Sequence, residues 1–135
     1  MVTIFVDTSA LYALLDRDGT EHERATNAFR GLAGEDIVTH RLVVTESAAL
    51  VRRRLGPTSV ANLIDGLLAP MTLLDLPDET FDQVLAAHAG SVATSGLSLV
   101  DRLSFELMRR ERITTAFAFN RDFVTAGFAV IPTPR

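Results

Sequence analysis

Apolar positions along this chain fall into short runs that alternate with longer amphipathic stretches. Val2-Thr3-Ile4-Phe5-Val6 has the β-branched and aromatic content of a buried strand. It stops at Asp7-Thr8-Ser9 and passes into Ala10-Leu11-Tyr12-Ala13-Leu14-Leu15, which reads as helix. Thr20-Glu21-His22-Glu23 has capping-box spacing and predicts a helix to about Leu32, with Gly31 and Gly34 marking its end. Asp36-Ile37-Val38-Thr39 predicts a second strand, followed by a helical pattern from about Leu42 to Leu55. Gly56-Pro57 breaks that pattern and starts another helix to Leu68, with Pro at its first position. Met71 to Leu76 predicts a third strand, and Pro77-Asp78 starts a helix to about Ala89. A loop rich in Gly, Ser and Thr (Gly90 to Gly96) leads to a helix from Ser98 to about Arg112. Thr115 to Phe119 predicts a fourth strand, and after Gly127 comes a last one, Ala129-Val130-Ile131, closed by Pro132 and Pro134. Strands alternating with helices predict an α/β domain: a short central parallel sheet flanked by helices on both faces.

Length keeps this to one domain over residues 1–135, and a hydrophobic fraction of 47% suits a sheet covered on both sides. The absence of cysteine excludes disulfides, zinc–thiolate sites and thiol nucleophiles. No run approaches the ~20 apolar residues of a membrane span, and the first apolar run lacks a leader's basic flank and cleavage site. A cytoplasmic protein with no membrane partner is the expectation. The net charge of −4 is not the basic footprint of a nucleic-acid binder. All 13 basic residues are nevertheless Arg, which grips phosphate in a bidentate way, although a GC-rich genome accounts for the bias as well.

Three carboxylates stand out by position. Asp7 ends a buried strand, where open α/β sheets place ligands, and equally suits the cap of the next helix. Glu46 shares a helical face with Leu42, Val43, Ala49 and Leu50, so it needs a cation, an Arg such as Arg53, or water. Asp101 shares its face with Leu97, Ser104, Phe105 and Met108, while Ser98-Leu99-Val100-Asp101 also fits a capping box. In a parallel sheet the ends of strands one and four, the start of the Glu46 helix and the start of the Asp101 helix share one edge. Asp7, Glu46, Asp101 and Asn120 therefore converge there, and three such acids repel one another unless protons or a cation intervene. Oxygen-only donors, with His22, His40 and His88 scattered, select Mg²⁺ or Mn²⁺ over zinc.

Asp7-Thr8-Ser9, Val44-Thr45-Glu46-Ser47, Ser98 to Phe105 and Phe119-Asn120-Arg121-Asp122-Phe123 with Gly127-Phe128 together resemble the PIN domain across essentially the whole chain. The size is similar to that of the VapC toxins of bacterial toxin–antitoxin pairs. The resemblance implies a single PIN-like domain and an Mg²⁺- or Mn²⁺-dependent endoribonuclease. It also implies a homodimer restrained by a VapB-like antitoxin. It assigns Asp7, Glu46 and Asp101 to metal binding and catalysis, with Ser9 orienting Asp7 or capping its helix. One position departs: the family usually has Asp where this chain has Asn120, which brings an oxygen but no charge. Asp122 either replaces it as fourth ligand or only favours the next helix start. Two rivals fit less well. A receiver-like signalling domain or a haloacid-dehalogenase-like phosphatase normally needs a second acid near Asp7 and a Lys, and this chain has no Lys. A catalytically weakened PIN domain that only binds RNA or a partner is the alternative that Asn120 keeps open.

Overall fold

The computed structural model of the chain describes residues 1–92 and 94–135. Ala93, inside the expected Gly90–Gly96 loop, lies outside the described residues. Five strands form one parallel sheet: β1 (Thr3–Val6), β2 (Asp36–Thr39), β3 (Thr72–Leu73), β4 (Thr115–Phe117) and β5 (Ala129–Ile131). Their order is β3-β2-β1-β4-β5, so the chain builds outward from β1 on one side and then returns to build outward on the other. Phe5 of β1 aligns with Val38 of β2 and Ala116 of β4, and all three are buried, as the continuous apolar runs of a two-sided parallel sheet require.

Among the described residues, seven α-helices and a π-helical segment (Asn62–Leu68) pack around the sheet: α1 (Thr8–Leu15), α2 (His22–Arg30), α3 (Arg41–Leu55), α4 (Pro57–Ala61), α5 (Asp78–Ser91), α6 (Leu99–Arg110) and α7 (Asp122–Thr125). Val43, Ser47 and Val51 form the buried stripe of α3 at four-residue spacing, and Leu103, Ser104, Phe105, Leu107 and Met108 that of α6. Phe123 of α7 is fully buried where the layers meet. Its ring lies 6.3 Å from Phe5, 4.8 Å edge-on from Phe105 and 6.4 Å from Phe128.

Several boundaries differ from the sequence reading. The third strand shortens to Thr72–Leu73; Leu74 N–H still reaches Thr39 C=O at 2.8 Å before the chain leaves the sheet. The helix expected over 57–68 divides, because Asn62–Leu68 takes π-helical turns. Leu63 and Leu68 are both buried. An α-helix would splay residues five apart by about 140°, whereas i→i+5 bonding brings them to one side. The capping box at Thr20 does not form: α2 starts at His22 with no side-chain cap, and His22 Nδ1 instead pairs with Ala13 C=O at 2.9 Å. Finally, α6 stops at Arg110 because Arg112 takes a left-handed φ of 57°. Ile113 N–H then bonds Met108 C=O at 2.8 Å and Arg112 N–H bonds Arg109 C=O at 3.2 Å, a Schellman closure without its usual glycine.

Because Phe123 joins α6, α7 and β1 through aromatic contacts, Phe123→Ala should lower stability by about 3–5 kcal/mol. Urea denaturation with an unchanged m-value checks this; a loss below about 1 kcal/mol would mean that the cluster collapses into the space.

Candidate active site

The strand order places a topological switch between β1 and β4, where open parallel sheets leave a crevice at their C-terminal edge. Asp7 is the first residue beyond β1, and its N–H bonds Phe117 C=O of β4 at 3.1 Å, so its backbone continues the sheet. Its side chain turns back to cap α1, accepting from Ser9 N–H at 3.1 Å and Ser9 Oγ–H at 2.6 Å on the same oxygen, Oδ2. Ser9 Oγ in turn accepts from Phe119 N–H at 2.9 Å. One hydroxyl therefore ties the exit of β1, the start of α1 and the exit of β4. Capping commits one carboxylate oxygen of Asp7 and leaves the other without a hydrogen bond among the described residues.

Asp7 is only 3% exposed. Burial pushes its carboxyl up from the ordinary 3.8 to about 6, the two Ser9 hydrogen bonds pull it down, and the charges of Asp101 and then Glu46 push it up. Asp101 and Glu46 thus both bear electrostatically on Asp7.

Asp101 lies in the first turn of α6 and forms the capping box that its spacing predicts: its N–H donates to Ser98 Oγ at 3.0 Å, and its Oδ2 accepts from Ser98 N–H at 3.3 Å. Asp101 Oδ1 accepts from Asn120 Nδ2–H at 3.3 Å. Asn120 Oδ1 accepts from Asp122 N–H at 2.9 Å. A backbone donor on one side and a carboxylate on the other fix the amide's orientation. Asn120 therefore presents its nitrogen, not its oxygen, to Asp101. Asp122 is the first residue of α7, in the position where an acid complements the helix start. Glu46, half-buried on α3, enters neither of the ion pairs among the described residues, Arg24–Glu21 and Arg41–Asp75, so of the three alternatives pairing with an Arg such as Arg53 is not the one adopted. Among the described residues no three His, Cys, Asp or Glu side chains sit close enough together to form a ready metal cage. The donor chemistry nevertheless suits a hard divalent cation: oxygen ligands, mutual repulsion at one edge, and a free oxygen on a buried Asp7.

Buried polar clasps that the sequence reading missed hold the elements bearing these acids. His40 is 1% exposed and caps α3, its Nδ1 accepting from Leu42 N–H at 3.2 Å and Val43 N–H at 3.4 Å. Nδ1 as acceptor leaves the proton on Nε2, which donates to Ser104 Oγ of α6 at 2.9 Å. Ser47, next to Glu46, donates to Thr8 Oγ1 of α1 at 3.1 Å, and Thr39 Oγ1–H donates to Val6 C=O at 2.8 Å. The available signal was a His at a strand-to-helix junction and serines inside apolar stripes, where an alanine would otherwise serve.

A family model described as the PIN domain matches residues 4–129. The 23S rRNA-specific endonuclease VapC20 of Mycobacterium tuberculosis is 27% identical over 133 residues, covering 95% of this chain and 97% of that protein. Its crystal structure, titled a sarcin–ricin loop cleaving toxin, superposes with a TM-score of 0.81 at 27% identity, over 93% of this chain and 96% of that one. VapBC2 from Rickettsia felis has a TM-score of 0.68 at 13% identity, over 96% of this chain and 97% of that one. FitAcB from Neisseria gonorrhoeae has a TM-score of 0.68 at 17% identity, over 94% and 95%. These last two similarities speak to the fold alone.

Opposed titrations follow from the site. Burial lowers His40 from 6.5 to about 4, so its contribution to stability is complete above pH 6.5 and is lost as pH falls toward 4. Asp7, raised from 3.8 to about 6, does the reverse, favouring the fold below pH 3.8 and costing about 3 kcal/mol above pH 6 without metal. Asp7→Asn should therefore be about 3 kcal/mol more stable than wild type at pH 7 in chelator and nearly equal to it at pH 4. Urea denaturation at the two pH values checks this; equal stability at pH 7 would mean that Asp7 is ionised without cost.

Proposed function

We propose that this chain, which belongs to the PIN-domain family, is a metal-dependent endoribonuclease hydrolysing RNA phosphodiester bonds as the toxin of a VapBC-type pair. The observation that carries this reading is the buried Asp7 at the β1–β4 switch, its carboxyl raised by burial and by the charges of Asp101 and Glu46. A cation held by Asp7, Glu46 and Asp101 would relieve that repulsion, and Mg²⁺ or Mn²⁺ suits an all-oxygen donor set. When bound, such a metal polarises the scissile phosphate and activates water. The chain's own share is positional. Ser9 fixes the rotamer of Asp7, the capping box holds Asp101, and the Ser47–Thr8 and His40–Ser104 bonds keep α3 and α6 seated at the sheet edge. Similarity to VapC20 over nearly the full length supports ribosomal RNA as the substrate class. Membership of the PIN family and similarity to a VapC toxin support a VapB-like antitoxin as partner, and a homodimer is the assembly we assign to the free toxin.

A second reading, a weakened PIN domain that binds RNA or a partner without efficient cleavage, draws support from Asn120. Both ends of its amide are committed, so it offers the site a donor to Asp101 where the family usually has a fourth acid.

Incubating ribosomes or 23S rRNA with the protein and Mg²⁺ or Mn²⁺ should yield a discrete cleavage product. Asp7→Asn should reduce the rate by more than about 100-fold, beyond the loss from an outer-shell change, with circular dichroism unaltered. Retained cleavage in Asp7→Asn would reduce Asp7 to a helix cap. Asn120→Asp separates the two readings. Without metal it should lower stability by about 1–3 kcal/mol, since a donor facing Asp101 becomes a like charge. With metal it should tighten Mg²⁺ binding in calorimetry and raise the cleavage rate. If affinity and rate both stay unchanged, the segment does not approach the metal. Asp122→Ala should leave metal binding alone, because Asp122 serves α7.

A further inference from the structure

Helix α6 carries Asp101 on one side and Arg102 about 100° around its axis on another. Arg102 enters neither ion pair among the described residues, although Glu106 lies one turn further along its own helix. Its Nε is buried and has no hydrogen-bond partner among the described residues. A charged donor in that condition is costly, and such donors ordinarily find a protein, water or ligand acceptor. Arg109, two turns along on the same face of α6, is engaged over the Phe128 ring at 5.6 Å. Arg102 is thus a cation with a buried donor to spare among the described residues.

It lines an open cavity of about 600 Å³ between α5, α6 and α7, together with Val84, Leu97, Glu106, Arg109 and Asp122. That volume lies within the about 300–1,000 Å³ of small-ligand sites and has room for one nucleotide unit. Asp122 joins this wall to the acids, because its N–H is held by Asn120, which donates to Asp101. The wall of the cavity thus adjoins the acidic edge, with Arg102 directly after Asp101 on α6. We propose that Arg102 and this cavity form the subsite for the RNA phosphate adjacent to the one that is cut. The inference rests on the ribonuclease reading above. A guanidinium is suited to it, since its terminal N–H groups form a planar fork that grips two phosphate oxygens at once. Glu106 and Asp122 in the same wall limit the subsite to a single phosphate and oppose a run of them.

The test uses the Asp7→Asn protein, which binds without cutting, and a labelled sarcin–ricin stem-loop of 23S rRNA, titrated by fluorescence anisotropy in Mg²⁺ over a series of KCl concentrations. One phosphate contact contributes about 0.7–0.9 to the slope of log affinity against log salt. Adding Arg102→Gln should lower the slope by that amount and weaken binding about five- to eightfold at 0.1 M salt, which is a tenfold dilution from 1 M raised to the same powers. Arg102→Lys should keep the slope. Gly96 lines the cavity, and a Cβ there meets nothing within 4 Å. Gly96→Phe should therefore block the cavity and weaken binding at least fivefold without touching any charge, and it serves as the test if Arg102→Gln does not fold. An unchanged slope in Arg102→Gln, with or without lost affinity, overturns the subsite, as does full affinity in Gly96→Phe. If the Asp7→Asn protein binds no RNA while wild type cleaves none, the ribonuclease reading itself has failed.

Discussion

Asp7 must be two things at once: the last sheet-bonded residue of the central strand and a carboxylate that remains open to a ligand. The Ser9 hydroxyl reconciles them. By donating to Asp7 Oδ2 and accepting from Phe119 N–H, it closes the capping turn and holds β4 against β1 at the point where the two chains diverge. A threonine could retain this bond, but alanine would leave the Phe119 donor unsatisfied and Asp7 Oδ2 with the backbone N–H alone, a loss larger than the bond itself.

The same economy repeats around the edge. Each acid has a buried or part-buried hydrogen bond beside it that links its element to another: Ser9 to Phe119 for Asp7, Ser47 to Thr8 for Glu46, Ser104 to His40 for Asp101. Repulsion among three carboxylates acts to open the edge, and these neutral, directional bonds between elements oppose it without adding charge. His40 does this only as the neutral Nε2–H tautomer, since a proton on Nδ1 would remove the acceptor that caps α3.

How much of this was legible depends on range. Strands β1, β2, β4 and β5 were readable because short apolar runs bounded by Gly, Pro and Asp need no distant partner to be recognised. Glu46 and Asp101 were readable as acids on apolar faces, and the Ser98–Asp101 box followed from spacing alone. The Thr20 box has equally good spacing and failed, because His22 found Ala13 C=O instead. Nothing local marks the π-helical turns, which exist to set Leu63 and Leu68 into a core assembled elsewhere. The end of α6 was overshot because Arg112 occupies a left-handed position that glycine usually signals. Asn120 was visible as a substitution, but which end of its amide faces Asp101 depends on a backbone donor two residues away.

The strand order also sets when the edge can exist during synthesis. β1 is made first and sits in the middle of the sheet, yet its neighbour β4 begins at Thr115, more than 100 residues later. A nascent chain that has emerged only through α5 carries Asp7 and Glu46 with one flank of β1 unpaired and no Phe119 to receive Ser9. Parallel pairings over such separations form late, after the loop-closure entropy has been met. The acidic edge is thus completed only once α6 has brought Asp101 and the exit of β4 has brought Phe119 to it.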